Sequence, residues 1–166
     1  MISVGEWARW LRDQERQTLD AFLTKPMLAF SMYQQERSTS KDYHGREVLE
    51  LLQNAADQAV LAKVRGKVHI ELASEYLLFA NNGTPFSKKG VQSLQNPHVS
   101  AKRSAKLVGN KGLGFRSILN WSFQPAIFSG NLTLAYTREK LRSLEQALTS
   151  KSEQYAKELS EGFSKG

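Results

Sequence analysis

From Val4 to Phe22 the apolar residues recur near helical spacing, with Trp7, Trp10 or Leu11, Leu19 and Phe22 as the stripe, and a further short helical stretch runs from Pro26 through Met32. This pattern predicts an N-terminal helical arm. The polar run ERSTSKD, Glu36 to Asp42, predicts a loop leading to His44-Gly45-Arg46. In the next segment, ELLQNAADQA from Glu50 to Ala59, Glu50, Asn54 and Asp57 fall at i, i+4 and i+7 and so share one helical face. Val48, Leu52, Ala55 and Ala59 are assigned to the opposite, buried side, and the helix is expected to continue to about Lys63 and to end by Gly66. KVHIELAS (Lys67 to Ser74) alternates as a half-buried strand does, with Val68, Ile70 and Leu72 facing one way, and YLLFA (Tyr76 to Ala80) reads as its hairpin partner.

After NNGTPF, the stretch from Ser87 to Val108 is polar and basic with Pro97 in its middle, and its length suits a functional lid better than a plain link. GNKGLGF opens a helix expected to reach Asn120, AIFSG and LTLAYT form a second strand pair around Gly130-Asn131, and Arg138 to Phe163 is amphipathic and helical, with Leu141, Leu144, Leu148, Tyr155 and Leu159 as its stripe. The resulting fold class is α/β: a two-layer sandwich with helices packed on one face of a mixed, mostly antiparallel sheet. The expected organisation is an N-terminal arm over residues 1–36, a core over 37–137 with its lid at about 87–108, and a helical tail over 138–166.

Composition narrows the chemistry. With 166 residues, 40% hydrophobic and 23% charged, the chain suits one globular domain with a tail. The charged, amphipathic start and the lack of any run of roughly 18 apolar residues predict an intracellular, cytoplasmic protein without a membrane span. The chain has no cysteine, which excludes disulfides, thiol nucleophiles and thiolate zinc sites; His44, His69 and His98 are scattered, so a bound metal is expected to be oxygen-ligated. The net charge of +7 is localised, because Lys88, Lys89, Lys102, Arg103, Lys106, Lys111 and Arg116 lie in a stretch without Asp or Glu, while the other 16 Lys and Arg balance the 16 acidic residues. Such a segment attracts an anion, either nucleotide phosphates or a nucleic-acid backbone.

Three motifs carry candidate chemistry. An acidic helical stripe alone is ordinarily a solvated face, and Asn81-Asn82-Gly83 alone is a common turn. The spacing Gly-x-x-Gly-x-Gly-x-x-Ser at Gly109, Gly112, Gly114 and Ser117 lets backbone N–H groups turn toward phosphate oxygens at a helix start. It is neither a Walker loop nor a dinucleotide fingerprint, and glycine-rich turns also serve as caps or close-packing devices.

In order along the chain, Glu-x-x-x-Asn-x-x-Asp, strand-Asn-Asn-Gly, a lid and Gly-x-x-Gly-x-Gly-Phe-x-Ser resemble the GHKL ATPase superfamily with its Bergerat fold. HGREVLELLQNAAD, NNGTPFS and GNKGLGFRSIL look most like the sacsin-type, heat-shock-chaperone-like branch, over roughly Arg37 to Arg138. The resemblance implies that Glu50 orients and deprotonates the attacking water and that Asn54 binds the magnesium ion bridging the phosphates. It further implies that Asp57 contacts the nucleotide or its water shell, that Asn81 meets the base, and that Gly83 lets the chain pass close to it. Gly109, Gly112 and Gly114, with Leu113, Phe115 and Ser117 between and after them, would wrap the phosphates, and Lys111, Lys102 and Arg103 would pair their charge.

Two features depart from the family. Asn81 stands where an Asp usually accepts from the adenine amine, and an amide both accepts and donates, which loosens selectivity against guanine. The chain also turns polar and helical after Thr137 where further strands are normal, implying a small, truncated sheet or one piece of a larger assembly. The function expected from the resemblance is Mg²⁺-dependent ATP binding and hydrolysis that drives lid closure and rearranges a partner or a homodimer. Two alternatives stand beside it: a non-hydrolysing nucleotide-sensing subunit, and a nucleic-acid-binding module using the basic 88–116 segment, with Phe86, Phe115 and Trp121 as stacking residues. A histidine kinase fits less well, since no separate phosphoacceptor helix pair is evident.

Overall fold

The structure, a computed structural model, describes residues 1–25, 27–29, 31–32, 45–95, 118, 121–122, 124–150 and 157. Its elements are α1 (Val4–Thr24), α2 (Glu47–Ala62), β1 (Val68–Leu72), β2 (Leu77–Asn81), α3 (Lys88–Gln95), β3 (Ala126–Ser129), β4 (Leu132–Ala135) and α4 (Arg138–Thr149). The chain is thus a mixed α/β protein, and among the described residues its strands form two antiparallel pairs, β1 with β2 and β3 with β4. It divides into two compact units, Met1–Ser38 with Phe123–Gly166, and Thr39–Ser122. Among the described residues no helix is long and apolar enough to cross a membrane.

The first unit joins α1, the β3–β4 hairpin and α4. A capping box starts α1: Ser3 Oγ accepts from the Glu6 N–H at 3.2 Å, and the Ser3 N–H donates to Glu6 Oε2 at 2.8 Å. Trp7 is buried and meets Trp10 edge-on, ring centroids 5.6 Å apart, so these two aromatics serve packing within the helix surface. The hairpin turns at Gly130, whose φ of +59° favours glycine, and alternates cleanly: Ile127 and Leu132 are buried while Phe128 is exposed. Thr137 caps α4 by accepting from the Lys140 N–H at 3.3 Å. Leu144 and Leu148 of α4 pack on Leu19, Phe22 and Leu23 of α1, and Lys140 pairs with Glu15 at 3.1 Å one to two turns earlier on both helices. The two helices therefore run in the same direction; of the stripe expected from the sequence, Leu144 and Leu148 lie at this seam, while Tyr155 and Leu159 lie outside the described residues.

The second unit is built on α2 and the β1–β2 hairpin. The helix ends where expected, at Ala62 beside Lys63, but Gly66 is not what stops it: Lys63 takes the left-handed conformation (φ 54°), its N–H closing the last turn. Gly66 instead sits against Ala59, where a Cβ would lie 3.1 Å from the alanine methyl. The two strands fall within two residues of their expected places, and the register pairs Val68, Ile70 and Leu72 with Asn81, Phe79 and Leu77. Their burial differs from expectation, since every residue of β1 is exposed. On the other face the Tyr76 hydroxyl donates to Glu71 Oε1 at 2.6 Å, and His69 Nε2 lies 3.6 Å from Glu71 Oε2. The tyrosine first and the histidine second hold the Glu71 carboxyl below its ordinary range, and the same bond pushes the Tyr76 phenol up.

The start of the expected lid is ordered helix. Ser87 Oγ accepts from the Gly90 N–H at 3.1 Å, and Val91 and Leu94, one turn apart, are buried, so residues 88–95 form α3 despite their polar composition. The remainder of that expected lid, residues 96–108, lies outside the described residues.

Candidate functional site

Gly45, with φ +82°, turns the chain into α2, and Glu47 and Glu50 occupy its first turn, where carboxylates complement the positive end of the helix dipole. The buried faces of this helix are not those expected from hydrophobicity. Val48 and Leu52 are exposed at 39% each, whereas Ala55 and Ala59 are buried; alongside them Glu47, Glu50 and Asp57 are 1%, 8% and 2% exposed. Asn54, between the last two, is half-buried. Glu47, Glu50, Asn54 and Asp57 stand at i, i+3, i+7 and i+10, on one face. Glu47 was missed as a site residue, and the signal for it was its one-turn spacing before Glu50. These three acids are the buried polar or charged residues among those described, so α2 concentrates oxygen chemistry that proteins seldom withdraw from water.

The Asn-Asn-Gly segment is stitched to the same helix. The Thr84 N–H donates to the Gln58 carbonyl at 3.3 Å, one residue past Asp57. Gly83 passes so close that a Cβ there would lie 2.4 Å from Gln58 Cβ and 2.9 Å from its backbone carbon, which makes glycine obligatory by contact with α2. Asn81 is exposed, and its Oδ1 accepts from the Gly83 N–H at 3.0 Å, an Asx turn that uses one of the oxygen's two lone pairs. Asn82, to which the sequence assigned no role, anchors the turn: its Oδ1 accepts from the Lys67 N–H at 2.7 Å and its Nδ2 donates to the Arg65 carbonyl at 3.1 Å. Asn82 thereby ties the end of β2 to the chain leaving α2.

The structure thus joins the first two motifs, placing the acidic row and Asn81-Asn82-Gly83 on adjoining parts of one unit. Lys102, Arg103, Gly109, Lys111, Gly112, Leu113, Gly114, Phe115 and Ser117 lie outside the described residues. Of the basic segment, Lys88 is half-buried and Lys89 exposed.

Among the described residues no three His, Cys, Asp or Glu side chains cluster closely enough to hold an ion unaided. The donor set nevertheless suits magnesium, which takes oxygen ligands, keeps several waters and is held by one or two protein groups together with substrate phosphates. The Asn54 carboxamide and the neighbouring carboxylates supply such oxygens, with no sulfur or imidazole on that face. Chemically, the face offers a carboxylate able to take a proton from water and an amide oxygen able to ligate a hard cation. No protein-family model, curated protein or solved structure matches the chain.

Proposed function

We propose that the chain is a GHKL-type ATP-binding module that hydrolyses ATP in the presence of magnesium, its helices and strand pairs forming part of a Bergerat-type two-layer sandwich. The observation that carries this reading is the burial of Glu47, Glu50 and Asp57 on the face of α2 that also holds Asn54, with the Asn-Asn-Gly turn fastened to the same helix at Gln58. A solvated acidic stripe leaves its carboxylates in water; this one does not.

In this reading Asn54 holds the magnesium ion, whose chemistry when bound is to neutralise charge on the phosphates and polarise them. Glu50 orients a water and takes its proton, and Asp57 binds the nucleotide side of the next turn. Lys102, Arg103 and Lys111 complement the triphosphate, and nucleotide-driven closure of the 87–108 lid alters contacts with a protein partner or a second protomer. Retention of nucleotide without turnover is the alternative that Asn81 favours.

Asn81 also supplies the test of base recognition. Its Oδ1 already accepts from Gly83, which leaves one lone pair for an adenine amine, while Nδ2 can donate to a guanine carbonyl. Asn81→Asp removes that donor and makes the acceptor charged, so the ratio of ATP to GTP affinity is expected to rise about fivefold, the difference between a neutral and a charge-assisted hydrogen bond. Calorimetric titration of both nucleotides with Mg²⁺ reads this, and an unchanged ratio removes Asn81 from the base site.

A further inference from the structure

The β1–β2 hairpin carries an edge beside which no described strand lies and whose sequence complements itself. The Ala73 N–H donates to the Tyr76 carbonyl at 2.9 Å and the Asn82 N–H to the Lys67 carbonyl at 3.3 Å. In an antiparallel ladder the bonded pairs alternate, so Lys67, His69, Glu71 and Ala73 turn their backbone groups toward β2, and Val68, Ile70 and Leu72 turn theirs outward. Among the described residues that outer edge has no strand beside it. Val68, Ile70 and Leu72 are exposed at 41%, 45% and 81%. A lone two-stranded hairpin with an apolar face is marginal in water, and such an edge is a ready template for another strand.

We infer that β1 pairs antiparallel with β1 of a second copy of the chain, about a two-fold axis at Ile70. That register places Ile70 opposite its own copy and Val68 opposite the partner's Leu72, all three with outward-facing backbone groups, so each N–H and C=O of the edge finds a mate. The side chains of Val68, Ile70 and Leu72 then extend one apolar face across four strands. On the opposite face His69 lies across from the partner's Glu71, and Glu71 across from the partner's His69. These are non-bonded pairs, the closer kind, at which opposite charges or a donor and a carboxylate attract. The β2 edge offers no such match, because the same operation about Phe79 sets Leu77 against the partner's Asn81.

The chain has no cysteine, which makes a single introduced thiol a clean reporter. In the full-length protein, Ile70→Cys is expected to form an intermolecular disulfide under mild oxidation, since hydrogen-bonded antiparallel pairs sit about 5.5 Å apart at Cα, within disulfide reach. Phe79→Cys, on the other edge, is expected to remain monomeric under the same conditions. Sedimentation of the unmodified chain should show a reversible dimer. His69→Glu, which sets like charges opposite one another twice, should raise its dissociation constant about tenfold, and His69→Glu with Glu71→His should restore it to within about threefold. Equal cross-linking from both edges, a monomer at all concentrations, or a double variant no better than the single one overturns the pairing. A dimer that persists in Ile70→Pro, which lacks the central outward N–H yet leaves the β2 ladder intact, does so as well.

Discussion

Glu50→Gln is expected to lower ATP turnover by roughly 10²- to 10⁴-fold, the usual contribution of a positioned general base, while leaving nucleotide affinity within about threefold of the parent. Glutamine keeps the size and polarity of a side chain that is 8% exposed, so the helix should keep its packing, but it cannot accept the proton of the attacking water. Phosphate release under saturating ATP measures the first quantity and calorimetric titration the second. Turnover equal in the two proteins assigns the base elsewhere. A parent chain that binds ATP without releasing phosphate establishes the non-hydrolysing alternative, and the substitution then has no kinetic effect to show.

Gly83→Ala tests the junction between the turn and α2. A methyl there meets Gln58 Cβ at 2.4 Å and the Gln58 backbone carbon at 2.9 Å, and a helix backbone cannot withdraw as a flexible side-chain tip can. The expected loss is about 1–3 kcal/mol, as for overpacking elsewhere, seen as a lower urea midpoint at unchanged slope. Nucleotide affinity should fall with it, because Asn81 accepts from the Gly83 N–H and moves when that N–H moves. Gly5→Ala is the control: nothing lies within 4 Å of the position, in the first turn of a helix, so stability should hold or rise. Equal midpoints for Gly83→Ala and the parent would show that the turn does not press on the helix.

The strands were legible because their signals are local. Short apolar runs, closed by Ser74-Glu75 or Gly130-Asn131, place each hairpin to within two residues without knowledge of anything distant. Which side of α2 faces inward was legible only in part: Ala55 and Ala59 are buried as assigned, but Val48 and Leu52, the more hydrophobic residues, are exposed, while Glu47, Glu50 and Asp57 are enclosed. Hydrophobic periodicity assigns polar residues to water, and it fails where polar groups are buried. The end of α2 was legible to within a residue, but the residue that stops it was not. Gly66 looks like a stop, but the left-handed residue is Lys63, and the glycine is needed three residues later for its approach to Ala59. Helix α3 was hidden by its polarity and by Gly90; it forms through a serine cap and two buried side chains that only the fold reveals.

The candidate site was legible in part for its order along the chain. Glu50, Asn54 and Asp57 share a face by spacing alone, and the structure adds Glu47 to their row and Asn82 as the anchor of the turn beside them. Neither addition follows from residue type. Glu47 is one acid among many, and Asn82 is distinguished from Asn81 only by what lies within reach of its amide.

The acidic face of α2 is proposed to bind magnesium nucleotide, and Asn54 bears that proposal most directly because its amide oxygen is the proposed metal ligand. Asn54→Ala removes that oxygen from a half-buried position without adding bulk or charge. Calorimetric titration of the parent and of Asn54→Ala with ATP, with Mg²⁺ and again with the metal chelated, separates metal-linked binding from the rest. The parent is expected to bind ATP more tightly with Mg²⁺ and Asn54→Ala to lose at least tenfold of that affinity, about 1.4 kcal/mol, while binding without metal changes little. Equal Mg²⁺-dependent binding by both proteins, or no ATP binding by the parent, contradicts the proposal.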